Sequence, residues 1–274
     1  MSYNITAKDP QPTVWSHING SPEAVLDRYC VSELCRGWPV YGDASEWANF
    51  RDLFADRGAW VVSSWSGPLP IDDFIQVSKD GRSRSSGQDF ILHRETGTLV
   101  DLNPTTNRAV GKMKATVSQR FTIPRQQQSS GQQQGQQQPP DFVFDVDSDV
   151  RFVFFCKKPS TSTPLRPDAD RREWKVQYVR LFHEKDRLCP VDGRPESVPR
   201  FDRVDLLKYP VGYQYLGLAQ SMLGHKVRSD LPTLCDNEAF AAMYEAMGRW
   251  LRADDGVADL LGVPAEGKGT EPRF

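Results

Sequence analysis

Apolar residues near the N-terminus recur at the spacing of an α-helix, and the first helix carries clear boundary signals. Ser21 and Pro22 are typical of an N-cap followed by the first helical position. Apolar side chains then follow at intervals of three and four residues to about residue 36. Gly37 and Pro39 are expected to end this helix.

Two more helices and one short strand are predicted before residue 90. Helical spacing of apolar residues covers about 45–55 and about 71–79. Between these helices, a strand is predicted at 59–62 and a turn at Gly67-Pro68.

After residue 90 the apolar residues alternate with period two, which is typical of β-strands. Strands are predicted at 97–103, 108–123, 142–157 and 173–184, with a hairpin turn at 104–107. Most of these strands exceed the usual length, so they must coil or bend to stay compact. Helices followed by a strand meander predict an α+β fold. In this fold a strongly curved antiparallel sheet wraps the N-terminal helices and encloses a cone-shaped pocket.

The predicted helices and strands define one domain and an extension. The domain covers residues 21–185, and a C-terminal extension covers 186–274. The extension contains a predicted helix at 237–251 with an apolar stripe on one side. Such a stripe is typical of a helix that packs against the core or against a second subunit.

Four segments are predicted to lack packed structure. Residues 1–20 are polar and form a flexible arm, and the tail from about 253 to 274 is expected to fray. Residues 124–140 are rich in Gln, and residues 159–170 are rich in Pro, Ser and Thr. Both stretches lie between strands, so both are predicted to be flexible hairpin loops.

Charge and composition exclude several classes of function. The 34 basic and 36 acidic residues give a net charge of −2, so no charge excess favours nucleic acid or an anionic membrane. The N-terminus lacks the apolar segment of a signal peptide, and no apolar run is long enough to span a membrane. These features favour a cytoplasmic protein. The five cysteines are scattered, which favours reduced thiols, and their spacing fits no zinc site.

Asp43 and His93 are the candidate catalytic pair. His93 is one of four histidines in the chain. An imidazole can remove and deliver protons near neutral pH, and a carboxylate on its other nitrogen fixes the tautomer. Two structural alternatives stay open. Asp43 could be the N-cap of the following helix, and His93 could be a half-buried strand residue bonded to a backbone carbonyl.

Further residues are candidates for binding a substrate and stabilising an enolate. They are Tyr41, Trp60, Trp65, Lys114 and Arg151. A solvated strand face is an alternative place for Lys114.

An acidic run on one strand is a weaker candidate for chemistry. Asp145, Asp147 and Asp149 share one face with Arg151 by alternation, and this face is either solvated or the polar wall of a cavity. The run lacks the glycine-containing loop of a calcium site. No metal is therefore expected.

The run Tyr41-Gly42-Asp43-Ala44-Ser45-Glu46-Trp47, followed by His93 ahead of the strand meander, resembles the SnoaL-like branch of the nuclear-transport-factor-2-like superfamily. Within it, the chain is similar to scytalone dehydratase and to fungal polyketide cyclases and isomerases. The resemblance covers roughly residues 20–185. It implies that Asp43 orients His93 and that His93 shuttles protons inside the cone.

The chain departs from the dehydratase pattern at two places. Gly42 stands where that pattern has a tyrosine beside the aspartate. Lys112 and Lys114 stand where it has a second histidine. These departures argue against the melanin precursor as substrate and leave general proton-shuttle chemistry intact.

The resemblance implies a cofactor-independent lyase or isomerase of the dehydratase or cyclase type. Its substrate would be a small cyclic carbonyl compound, polyketide- or terpenoid-like, from secondary metabolism. The extension would cap the cone or build a homo-oligomer, a dimer or a trimer. The alternative is a non-catalytic binding or scaffold protein on the same fold.

Overall fold

A six-stranded sheet with helices on both faces forms the centre of the molecule. The computed structural model describes residues 15–64, 66–84, 90–124, 141–158, 173–234 and 237–264. Its elements in chain order are α1 (Pro22–Asp43), α2 (Trp47–Asp52), β1 (Trp60–Ser63), β2 (Gly67–Pro70), α3 (Ile71–Arg84), β3 (Ile91–Asn103), β4 (Arg108–Ile123), β5 (Phe142–Lys157), β6 (Lys175–Pro190), α4 (Arg203–Leu206), α5 (Gln214–Met222), α6 (Asn237–Leu251) and α7 (Val257–Leu260).

The strand order is β2-β1-β6-β5-β4-β3, and the sheet is open and mixed. The four long strands pair antiparallel in sequence order, as predicted. The short strand β1 pairs parallel with β6, so the sheet is mixed although its four long strands are antiparallel. The turn predicted at Gly67-Pro68 is instead the start of edge strand β2. An edge strand tolerates its two prolines because one side of the strand needs no ladder bonds.

Helix α1 begins where the sequence predicts but ends later. Pro22 is its first residue, and the Ser21 Oγ accepts a hydrogen bond from the Ala24 N–H at 3.3 Å. The helix continues through Pro39 to Asp43, so the predicted end near residue 36 is wrong. Trp38 lies inside the core, 5.1 Å from the Phe50 ring, and this burial outweighs the helix-breaking effect of Pro39.

Helices α1, α2 and α3 cover one face of the sheet, called here the inner face. The space between these helices and the sheet is filled by close-packed aromatic rings whose centroids lie 5–6.5 Å apart. The rings are those of Trp38, Phe50, Phe54, Phe74, Phe152 and Phe154. This part of the cone is therefore a packed core.

Helices α6 and α7 cover the opposite, outer face. The helix predicted at 237–251 is confirmed as α6, and its stripe of Phe240, Met243, Met247 and Trp250 is buried. The expectation of a frayed tail from 253 is wrong as far as residue 264. Val257, Leu261 and Val263 are buried in the same cluster.

Helix α5 packs on the inner face at the far end from α1–α3. Leu216 and Ala219 of α5 and the adjacent Tyr213 form a third apolar cluster with Phe121 and Phe144. These two phenylalanines are cross-strand partners on β4 and β5. The extension therefore packs against both faces of the sheet.

The described part of the N-terminal arm is attached to the sheet. Ser16 and Leu102 exchange backbone hydrogen bonds of 2.9 and 2.8 Å. The two low-complexity loops, 124–140 and 159–170, lie almost entirely outside the described residues, as does the end of the tail. Among the described helices, none combines the length and apolarity needed to cross a bilayer.

Candidate active site

Asp43 and His93 form a two-point contact at the edge of the sheet. Asp43 is the last residue of α1, and His93 lies near the start of edge strand β3. One oxygen of the Asp43 carboxylate lies 2.7 Å from His93 Nδ1, and the other accepts the His93 backbone N–H at 2.7 Å. The N-cap alternative for Asp43 is wrong, because α2 begins four residues later, after Glu46.

This geometry defines the tautomer of the imidazole. A carboxylate accepts hydrogen bonds, so a neutral His93 beside it carries its proton on Nδ1. Nε2 then carries the lone pair and faces away from Asp43. Both side chains keep 16% of their surface exposed, so the pair is not fully closed off from solvent.

The two faces of the sheet determine the environment of the pair. His93 lies in a cross-strand row with Val117, Ser148 and Asp186 on the inner face. The edge of its ring approaches Phe152 at a centroid distance of 5.7 Å. The pair therefore lies between the aromatic core under α1 and the cluster under α5.

Several buried polar residues near this row were not predicted. Ser148, His183 and Gln220 each carry a buried side-chain atom with no hydrogen-bond partner in the described part of the chain. Burial lowers the pKa of His183 to about 4, and its ring lies 4.9 Å from Tyr213. A bulge at Glu184 shifts the strand register, so alternation in the sequence could not show that His183 and Asp186 share a face.

The prediction that Lys114 and Arg151 join the pocket is corrected by the strand register. They are cross-strand partners, three residues along β4 from Val117, and therefore project to the outer face. Arg151 donates two hydrogen bonds, of 2.7 and 2.9 Å, to Glu184. Lys114 is 62% exposed and lies 3.9 Å from the same carboxylate. The alternative prediction, that Lys114 lies on a solvated strand face, is therefore the correct one.

The aromatic candidates are separated by the sheet. Tyr41 is half-buried against the inner core, two residues before Asp43. Trp60 packs with the outer cluster and is the cross-strand partner of Tyr178, so its predicted place near the pair is wrong. Trp65 lies outside the described residues.

The acidic run of β5 lies on the outer face and is neutralised there. Asp145 binds Arg120 through two hydrogen bonds of 2.8 and 2.9 Å. Burial alone would raise the pKa of Asp147, but hydrogen bonds from Ser118 and Arg187 outweigh it and hold that pKa below its usual value. No group of three potential metal-ligating residues occurs within the described ranges.

Sequence comparison identifies the family. A model of the SnoaL-like domain matches residues 23–136. A PEP2-like protein of Fusarium vanettenii is 36% identical over 223 residues, which cover 81% of this chain and 82% of the relative. The chain belongs to the SnoaL-like family. The pea pathogenicity protein 2 of the same fungus is 34% identical over 243 residues, covering 86% of this chain and 90% of that protein.

Solved structures with a related fold are more distant. An NTF2-like protein of unknown function from Pseudomonas putida KT2440 has 7% identity and a TM-score of 0.37, covering 57% of this chain and 86% of that one. A protein from Novosphingobium aromaticivorans DSM 12444, provisionally named a scytalone dehydratase, has 11% identity and a TM-score of 0.39. The match covers 62% of this chain and 95% of that one.

Proposed function

We propose that this SnoaL-like protein is a cofactor-independent lyase or isomerase that acts by proton transfer between His93 and a small cyclic carbonyl compound. The observation that carries the proposal is the contact of one Asp43 carboxylate with both the backbone N–H and Nδ1 of His93. Such a contact holds an imidazole in one orientation and one tautomer, which is what a general base requires.

In the proposed reaction, His93 Nε2 removes a proton from the carbon next to the carbonyl. The electrons of the broken C–H bond move to the carbonyl oxygen and form an enolate, while Asp43 stabilises the imidazolium. In a dehydration, the enolate collapses, the C–O bond of a β-hydroxyl breaks, and the proton on Nε2 leaves with the hydroxyl as water. In an isomerisation, the same proton returns to another carbon. Tyr41 remains the candidate for substrate contact on this face.

The proposal extends to a cytoplasmic location, polyketide- or terpenoid-like substrates of secondary metabolism, and a homo-oligomer. Support for the reaction type comes from the SnoaL-like family and from the Asp43–His93 geometry. One relative is named a pathogenicity protein. An enzyme that modifies a small fungal metabolite is compatible with a role in pathogenicity.

The test measures proton exchange, so that the natural substrate need not be known. A panel of cyclic β-hydroxyketones is incubated with the protein in D₂O, and NMR follows loss of the α-proton and formation of the enone. We expect His93→Gln and Asp43→Asn each to slow a reaction of the wild type by roughly 10²–10⁴-fold, since each removes the base or its correct tautomer. His225→Gln, at an exposed histidine that does not belong to the Asp43–His93 contact, is the matched control.

Circular dichroism verifies that each variant is folded. Full turnover by folded His93→Gln would exclude His93 as the base. Loss of activity in the His225 control would mean that the assay responds to general damage to the protein and not to loss of the His93 base.

A second candidate function, that of a non-catalytic binding or scaffold protein, is favoured by the aromatic rings that fill the helix-covered part of the cone. Less space is then left for a substrate beside His93. Binding of a panel compound without α-proton exchange, unchanged in His93→Gln, would support this candidate over the enzyme.

A further inference from the structure

A buried arginine that forms no salt bridge with the described residues lies on the outer face, away from the Asp43–His93 pair. Arg180 belongs to β6 and lies between Val62 of β1 and Val153 of β5. Both neighbours belong to the outer apolar cluster. Arg180 keeps only 9% of its surface exposed. Arg180 is thus a buried residue beside apolar side chains of this cluster.

The hydrogen bonds of Arg180 do not balance its charge. Nη1 donates one long bond of 3.4 Å to the Leu260 carbonyl at the end of α7. Nε is buried and has no hydrogen-bond partner among the described residues. The turn after α7 approaches the guanidinium closely, since a Cβ on Gly262 would make a tight contact of 3.3 Å with Nη1.

The acidic group that acts electrostatically on Arg180 is already engaged. Asp230 accepts two hydrogen bonds from Arg228, one of 2.7 Å from Nε and one of 2.6 Å from Nη2. Asp230 is therefore paired with Arg228, and Arg180 forms no salt bridge with any carboxylate of the described residues. Burial lowers the pKa of Arg180 to about 10, with Arg228 lowering it further and Asp230 raising it.

Burying an unpaired charge among apolar side chains costs free energy of folding. A bound anion offsets part of this cost, because it supplies the opposite charge. A guanidinium presents paired N–H groups that match the oxygens of a phosphate or a carboxylate. We propose that Arg180 binds the oxyanion of a small ligand, in a site formed by β6, residues 228–230 and the turn after α7. The site lies across the sheet from His93, so it is a binding site separate from the proposed reaction.

The test uses the full chain and two probes, inorganic phosphate and acetate, against chloride at constant ionic strength, because salt alone screens charges. A ligand that binds only the folded state raises the melting temperature in a saturable way. We expect one of the two anions to do so. Selectivity for phosphate would indicate a phosphate group in the natural ligand, and selectivity for acetate would indicate a carboxylate.

Three variants identify the site. Arg180→Gln should weaken the apparent affinity at least tenfold. Arg187→Gln, on the same strand and exposed, should leave it unchanged. Asp230→Asn should strengthen it severalfold, because it removes the negative charge that competes with the ligand.

Absence of any saturable shift in the wild type would overturn the proposal. So would an unchanged affinity in Arg180→Gln, or a weaker affinity in Asp230→Asn. The Asp230 variant keeps the test decisive if Arg180→Gln does not fold. None of these results depends on turnover, so the site can fail or stand independently of the proposed enzyme.

Discussion

His183 shows how a single buried residue makes stability depend on pH. It is 2% exposed on the inner face, and its backbone N–H donates to the Pro232 carbonyl at 2.9 Å. Its ring Nδ1 has no partner among the described residues. With a folded-state pKa of about 4, the ring stays neutral in the folded protein while the unfolded chain binds a proton near pH 6.5.

The free energy of unfolding is therefore expected to fall as the pH drops from about 6.5 towards 4. In this window the unfolded state binds more protons, so stability rises with pH, and His183 contributes up to about 3 kcal/mol of this change. His183→Gln should remove that contribution. Urea unfolding of both proteins at pH 7.5, 6 and 5 measures it. A difference between them that stays constant with pH would contradict the neutral buried ring.

At the residue scale, the sequence predicted the pair but not its surroundings. The pair was found from the chemistry of its two residue types and from the run at 41–47, which are local features of the sequence. The faces of Lys114 and Arg151 depend on the register between strands. A bulge between Glu95 and Gly97 changes the register beside His93, and no local pattern marks it.

At the scale of elements, the segment that carries α5 is fixed closely to β6. The Asp186 carboxylate on β6 accepts the Leu216 N–H of the first turn of α5 at 2.8 Å. Just before α5, Gly212 adopts a φ of +124°, and a Cβ there would lie 2.8 Å from the His183 carbonyl oxygen. Only glycine allows this approach of two backbones.

Gly212→Ala is expected to destabilise the protein more than Gly193→Ala. Both positions have positive φ, so alanine is strained at each by about 1–2 kcal/mol. A Cβ at Gly193 would meet no atom within 4 Å, whereas at Gly212 it meets fixed backbone, which adds about 1–3 kcal/mol. Urea unfolding compares the two variants. Equal losses of stability would mean that α5 is not held against β6 at this point.

Some long elements were predicted closely, but two long strands were predicted too short. β3 begins at Ile91 and β6 ends at Pro190, whereas the sequence predicted strands at 97–103 and 173–184. The bounds of β4, β5 and α6 agree with the sequence pattern because alternation or helical spacing extends over 15 or 16 residues. The end of α1 was missed because Trp38 packs among rings from three other elements. Tertiary contacts of this kind override a local signal such as Pro39.

At the scale of the whole molecule, the extension is part of the same folding unit as the sheet. The outer cluster joins α6 and α7 to Val110, Val153 and Phe182 of three central strands. Trp250 of α6 donates hydrogen bonds of 3.1 Å to the carbonyls of Ala109 and Cys156. The same strands carry the inner core on their other face. Loss of α6 would therefore uncover the outer face of the sheet whose inner face carries His93.

We therefore expect one cooperative unfolding transition, in which damage to the outer cluster also destabilises the inner core. Leu251→Ala, at a residue 2% exposed at the end of α6, should cost about 2–5 kcal/mol. Leu207→Ala, the same substitution at a residue 66% exposed, should change stability by less than about 0.5 kcal/mol. Tryptophan fluorescence and circular dichroism should give coincident urea curves for each variant, shifted together in Leu251→Ala. If Leu251→Ala instead produced an early separate step and left the main transition in place, the extension would be an independent unit.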